Sequence, residues 1–217
     1  MKLDNHDLLL YAVTDRSWIG EKCLSEQVKE ALEGGVTCVQ LREKTLSKEA
    51  FIEEGKKIKA LTDLHRIPFV INDEVEVALA IDADGVHVGQ KDMAAGGVRE
   101  RIGRDKILGV SVCTVEQALL AQAHGADYLG VGTIFTTSTK LDAEHVSIET
   151  LQSICEAVEI PVVAIGGITK ENLHELQGTK IAGIAVVSAI FASQNIKGAT
   201  RALREQVEKL LMGKGGE

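Results

Sequence analysis

The sequence predicts an α/β fold, a (β/α)8 barrel, on three observations. Eight short apolar, β-branched runs recur along the 217 residues, each followed by a helical pattern. The runs are near-continuous rather than alternating, as parallel strands covered on both faces require. Gly35, Gly85, Gly125 and Gly183 each stand at or just before a strand start, where short helix-to-strand loops turn. A doubly wound open sheet is the alternative, because spacing alone does not show closure. The length suits one buried core. The chain therefore reads as a single barrel domain over residues 1–217 with a frayed tail at 213–217.

In order, the strands are expected at Leu8–Thr14, Cys38–Arg42, Pro68–Asn72, Gly85–Val88, Ile107–Ser111, Tyr128–Val131, Pro161–Ile165 and Gly183–Val187. The two prolines, Pro68 and Pro161, both open a strand, where a missing N–H is tolerated. After the first strand, Leu24, Val28, Ala31 and Leu32 share one helix face, and Gly34-Gly35 stops that helix. Ser47, Ser147 and Thr169 read as helix N-caps, and Thr114 with Gln117 as a capping box.

Composition removes several classes of function. A formal charge of −8 argues against nucleic acid or an anionic membrane as partner, and the few aromatics offer no stacking platform. No apolar run approaches the roughly 20 residues of a membrane span. MKLDNHD lacks the hydrophobic core of a signal peptide, which points to the cytoplasm. The four cysteines (Cys23, Cys38, Cys113, Cys155) have no metal spacing and read as small buried hydrophobes of a reducing compartment. A homo-oligomer is compatible with all of this.

In either fold the site would lie at the carboxyl ends of the strands. The sixth strand runs into Gly130–Lys140, a loop with four threonines, a serine and a lysine, a supply of donors that phosphates take up. The second runs into Gln40-Leu41-Arg42-Glu43-Lys44, where Gln40 and Arg42 point the same way and Lys44 can follow. That cluster is either an anion site or a strand end paired internally through Glu43. The third ends in Asn72-Asp73-Glu74 and the fourth in Gly89-Gln90-Lys91-Asp92. Asp73 and Asp92 could hold Mg2+; Asp73 could equally cap a helix at Glu74–Ile81, and Asp92 could be a plain loop acid. Ser111 ends the fifth strand as a ligand hydroxyl or a helix-entry serine. Ile165-Gly166-Gly167-Ile168-Thr169 and Val186-Val187-Ser188-Ala189-Ile190 each open a helix, the recurring phosphate site of such barrels. His87 lies within a strand and reads as a satisfied core residue. Trp18 sits on the first strand-end loop, where it could cover the mouth.

YAVTDR, QLREK, IND, HVGQKD, GVS, TTSTK, AIGGI and VVSAI, in this order and at these separations, resemble the thiamine-phosphate synthase family from Tyr11 to Ile190. The resemblance implies that Gln40, Leu41, Arg42, Glu43, Lys44, Asn72, Ser111 and Lys140 contact a pyrimidine pyrophosphate. It implies that Asp73 and Asp92 hold Mg2+ on its pyrophosphate, and that Thr137, Ser138, Thr139, Gly167, Val187 and Ser188 bind a thiazole phosphate. The implied enzyme is a transferase that joins the two into thiamine phosphate and releases pyrophosphate by a dissociative substitution, with Arg42, Lys44 and Lys140 as the catalytic cations. The chain departs from the family at Thr136 and Thr133, where proline is usual or frequent, and at Cys113, where histidine is usual. The rivals are a thiazole tautomerase-like isomerase, which would be expected to lose Arg42, Lys44, Asp73 and Asp92, a sugar-phosphate isomerase or epimerase, and a non-catalytic binder of thiamine intermediates.

Overall fold

The computed structural model describes residues 3–20, 22–90, 92–137 and 144–212. Eight parallel strands close on themselves in the order of the chain: β1 (Leu10–Val13), β2 (Cys38–Leu41), β3 (Phe69–Asn72), β4 (Gly85–Val88), β5 (Ile107–Val112), β6 (Tyr128–Val131), β7 (Val162–Ile165) and β8 (Gly183–Val186). Closure is made by β1 against β8, with Tyr11 opposite Ala185. The barrel therefore replaces the open-sheet alternative.

The helices are α1 (Leu24–Gly34), α2 (Lys48–His65), α3 (Val75–Ala80), α4 (Ala95–Ile102), α5 (Val115–Ala123), α6 (Ile148–Ala157), α7 (Ser188–Phe191) and α8 (Ile196–Met212). The expected stops and caps work as local chemistry dictates. Gly35 takes the left-handed conformation (φ 102°) that ends α1, while Ser47 and Ser147 accept the Ala50 and Thr150 amides. Thr114 accepts the Gln117 amide, but the Gln117 side chain reaches back one residue further than a capping box would, to the Cys113 N–H. Thr169 differs. Only a short 3-10 turn, Leu173–Leu176, follows β7, because Asn172 ties Thr169 N–H and the Gly167 carbonyl into a loop of its own. The expected helix opening at Gly166-Gly167 is thus a looped segment, and only β8 runs straight into a helix.

The apolar runs divide by face. Leu10, Ala12, Val39, Leu41, Ile71, Val86 and Leu108 face outward into the layer shared with the helices. Tyr11, Cys38, Val70, Ile107, Tyr128, Val163 and Ala185 fill the barrel interior. One step nearer the carboxyl ends the inward residues change character to Gln40, Asn72, His87 and Ser111, with Gly130 beside them. That polar layer is the floor of the site. No helix among the described residues is long and apolar enough to cross a membrane.

Candidate active site

A pocket of about 590 Å³ opens at the carboxyl ends of the strands. A comparable cavity of about 540 Å³ lies at the opposite end, between Leu9, Pro161, Ala182 and Leu211, away from every strand-end cluster. Of the residues expected in the site, Gln40, Arg42, Lys44, Asn72, Asp73, Asp92, Ser111, Thr137, Gly167, Val187 and Ser188 all line the first pocket. Ser138, Thr139 and Lys140 lie outside the described residues. Leu41 and Glu43 are not in the lining. Leu41 is fully buried on the outer face, and Glu43 is buried with its carboxylate on Arg16 Nε at 2.7 and 2.8 Å. Both follow from strand alternation, since Gln40, Arg42 and Lys44 share one side and the odd positions take the other.

Residues just beyond β1 set up the basic arm. Thr14 Oγ1 accepts the Arg42 backbone N–H at 3.0 Å, and Asp15 accepts Arg42 Nη1 at 2.7 Å. Asp15 and Arg16 are therefore a pair of clamps for Arg42 and Glu43 across the β1–β2 seam. Trp18 is no lid. It packs partly buried against the outer core, its carbonyl accepting Gln27 Nε2, and it lies outside the lining.

The acidic side is built on a local backbone exception. Asp73 has φ 62°, and Glu74 N–H bonds the Asn72 carbonyl at 2.7 Å, closing a tight turn around it. A left-handed aspartate costs about 1–2 kcal/mol. The helix that follows begins only at Val75 with Glu74 at its N-cap position, so Asp73 is not the cap that sequence spacing allowed. Instead its carboxylate takes Lys44 Nζ at 2.6 Å. Asp92 accepts the Gly89 N–H at 2.7 Å. Burial pushes the Asp92 carboxyl above its ordinary range and the adjacent Asp73 carboxyl adds to this, against the Gly89 amide and Lys44. Two carboxyls thus converge beside an ammonium.

The opposite wall is β6 and its loop laid over β7. Ile134 and Phe135 donate N–H to the Ile165 and Gly166 carbonyls at 3.1 and 3.0 Å. Gly166 (φ 102°) and Gly167 (φ 63°) lie so close beneath that a Cβ on Gly166 would stand 2.7 Å from Thr133 Cα. Cys113 lines the pocket nearby, its Sγ 3.4 Å from the Gly132 carbonyl. Of the four cysteines expected to be buried, Cys38 is, Cys113 and Cys155 are half-buried and Cys23 is exposed.

The sequence reading missed the floor as a unit. His87 is satisfied, as expected, but by the pocket's own residues: Nδ1 meets Tyr128 Oη at 2.9 Å and Nε2 meets Ser111 Oγ at 2.8 Å. Tyr128 Oη meets Tyr11 Oη at 2.8 Å, and Gln40 Nε2 donates to Tyr11 Oη at 2.8 Å. The available signal was two tyrosines and a histidine at inward-facing positions of otherwise aliphatic strands. Ser111 is held further by Gln90 Nε2 on its carbonyl at 2.7 Å.

A rim with cations and paired carboxyls on one side, donors on the other and a polar floor can bind a pyrophosphate and a second anion around a hydrogen-bonding ring. Comparisons with known proteins show the family. The family model described as thiamine monophosphate synthase matches residues 10–190. The thiamine-phosphate synthase of Clostridium tetani is 53% identical over 199 residues, covering 92% of this chain and 95% of that protein. That of Methanobrevibacter smithii is 49% identical over 204 residues, covering 94% and 97%. The solved thiamine phosphate pyrophosphorylase from Pyrococcus furiosus superposes with a TM-score of 0.88 at 44% identity, covering 95% of this chain and 98% of that one. The (S)-3-O-geranylgeranylglyceryl phosphate synthase from Thermoplasma acidophilum, at 17% identity and a TM-score of 0.69, shares the barrel alone. With the match running from β1 into α7 and near-complete coverage of close relatives, this chain belongs to the thiamine monophosphate synthase family.

Proposed function

We propose that this chain is a thiamine-phosphate synthase, joining a pyrimidine pyrophosphate to a thiazole phosphate with release of pyrophosphate. The observation that carries the reading is that Arg42, Lys44, Asp73 and Asp92 line one pocket above a polar floor that includes Gln40 and Ser111. These are the residues a tautomerase-like isomerase would be expected to lack.

In this reading Gln40, Asn72 and Ser111 orient the aminopyrimidine, and Arg42 and Lys44 stabilise negative charge as pyrophosphate departs. The resemblance adds Lys140, which follows β6 in the sequence and lies outside the described residues, as a third cation. Asp73 and Asp92 fit a hard divalent cation, because two neighbouring carboxyls supply oxygen ligands whose mutual repulsion the ion relieves. No set of three or more His, Cys, Asp or Glu gathers among the described residues, so the remaining ligands would come from pyrophosphate oxygens and water. Mg2+ held there would neutralise the leaving group. The electron-rich ring supports the methylene cation left behind, and the thiazole nitrogen captures it. Thr137, Ser138, Thr139, Gly167, Val187 and Ser188 hold the thiazole's phosphate so that this nitrogen stands within reach. Neither a protein nucleophile nor a strong base takes part. The negative overall charge argues against a nucleic-acid or anionic-membrane partner, whereas small anionic substrates are admitted by the local cluster of Arg42 and Lys44. The scattered cysteines suit a reducing cytoplasm.

The test is a turnover assay with both substrates and Mg2+, following thiamine phosphate and pyrophosphate together. Stoichiometric, magnesium-dependent appearance of both is expected. Conversion of the thiazole phosphate without pyrimidine or metal would make the chain an isomerase, and binding without product would make it a sensor.

A further inference from the structure

We infer that Tyr11, Tyr128 and His87 are positioning residues that fix the hydrogen-bonding sense of the pocket floor. They keep Gln40 Oε1 as an acceptor and the Ser111 hydroxyl as a donor toward the ligand, so that an amino-substituted pyrimidine is chosen over an oxo-substituted one. The inference rests on the synthase reading above.

The five side chains form one line across the barrel, each link between 2.8 and 2.9 Å. Gln40 Nε2 can only donate, so Tyr11 Oη accepts from it. A phenol carries a single hydrogen. The sense that keeps both phenol hydrogens within the line has Tyr11 donate to Tyr128 Oη and Tyr128 donate to His87 Nδ1, rather than Tyr11 turning its hydrogen to the neighbouring Cys38 thiol. With Nδ1 an acceptor, the neutral imidazole holds its hydrogen on Nε2 and donates it to Ser111 Oγ. The Ser111 hydrogen is then directed away from His87 and toward the pocket. At the other end, the amide that turns Nε2 to Tyr11 leaves Oε1 for the ligand. Burial pushes both phenols well above their ordinary range, so the line keeps its hydrogens at neutral pH. Glycines make room for it. A Cβ on Gly109 would stand 2.5 Å from His87 Nδ1, and one on Gly130 3.1 Å from His87 Cε1.

An aminopyrimidine edge offers an N–H donor beside a ring-nitrogen acceptor, and an oxygen acceptor with a hydroxyl donor matches it. The oxo analogue offers a carbonyl acceptor beside a ring N–H and meets both groups in the wrong sense. Two mismatched buried groups correspond to roughly a hundredfold discrimination.

The closing experiment begins with side-chain 15N NMR of the ligand-free protein, the His87 signals assigned by comparison with His87→Gln. Hydrogen on Nε2 is expected; hydrogen on Nδ1 overturns the inference without touching the synthase reading. The kinetic arm compares amino and oxo pyrimidine pyrophosphates. The isosteric Tyr128→Phe cuts the line and should shift the tautomer balance and lower the discrimination about tenfold, with the thiazole phosphate KM unchanged. His87→Gln, which keeps an N–H near Ser111, should retain more discrimination than His87→Leu. Unaltered tautomer and discrimination in Tyr128→Phe would also overturn it. An inactive parent protein would instead sink the synthase reading and leave the tautomer result standing.

Discussion

Replacing Gly167 by alanine isolates how tightly the β6 loop is seated on β7. At φ 63° an alanine costs about 1–2 kcal/mol relative to glycine. Its Cβ would stand 2.7 Å from the Phe135 carbonyl oxygen and closer still to that of Thr136. Both obstacles are backbone, so relief requires moving the loop, and overpacking of this kind costs about 1–3 kcal/mol. The expected loss of stability is therefore about 2–5 kcal/mol, read from urea unfolding. Gly178→Ala provides the control. Gly178 has φ 85° with nothing within 4 Å of the added carbon, so that variant should lose only the backbone share, about 1–2 kcal/mol. Displacing the loop should raise the KM for thiazole phosphate about tenfold and that for pyrimidine pyrophosphate by no more than about threefold. If Gly167→Ala were no less stable than Gly178→Ala and bound thiazole phosphate normally, the loop would not be seated as described.

Other variants probe the remaining walls. Arg16→Ala strands the Glu43 carboxylate, whose side chain is 1% exposed against 36% for Arg16; the half-wet partner brings the usual penalty down to about 2–3 kcal/mol, and adding Glu43→Gln should recover much of it in thermal melts. Lys44→Met should lower kcat about a hundredfold to a thousandfold with little change in the thiazole phosphate KM, and an intact kcat would remove Lys44 from the chemistry. Asp92→Asn keeps an acceptor for the Gly89 amide, yet it should abolish the rise in melting temperature that Mg2+ with inorganic pyrophosphate gives the parent. A retained rise would count against Asp92 as a metal ligand. Lys140→Ala should impair turnover more than thiazole affinity; an effect on affinity alone would contradict its role on the leaving group.

The strands were legible because a parallel barrel strand must satisfy two apolar environments, and few other segments of so short a run do so. Their ends were legible for the opposite reason, since Gln40, Arg42 and Asp92 break the apolar run where the chain leaves the sheet. What spacing could not reach is the identity of partners. Glu43 looked like a neighbour for Arg42 or Lys44, but alternation turns it to the far side, where the β1–β2 register that sets Val13 opposite Gln40 brings up Arg16. Asp73 illustrates a different limit. Its cap role was plausible from composition, whereas its left-handed backbone is imposed by the Asn72–Glu74 turn and by the Asp73 N–H bond to the His87 carbonyl on β4.

The floor of the site demands closure before it can be read at all. Tyr11 and Tyr128 are separated by 117 residues, and their hydroxyls meet only because β1 and β6 face each other across a closed interior. An open sheet with the same strands would set them on one surface well apart. The His87 side chain likewise fits only where β5 and β6 present Gly109 and Gly130, so two residues without side chains are as much a part of the site as those that face the ligand. Substituting either with alanine should displace His87 and disturb the floor, while the rim cations, held by Asp15 and Asp73, keep their places. A fall in pyrimidine selectivity with thiazole phosphate binding preserved is the outcome that follows, and a uniform loss of both would mean that floor and rim are one mechanical unit.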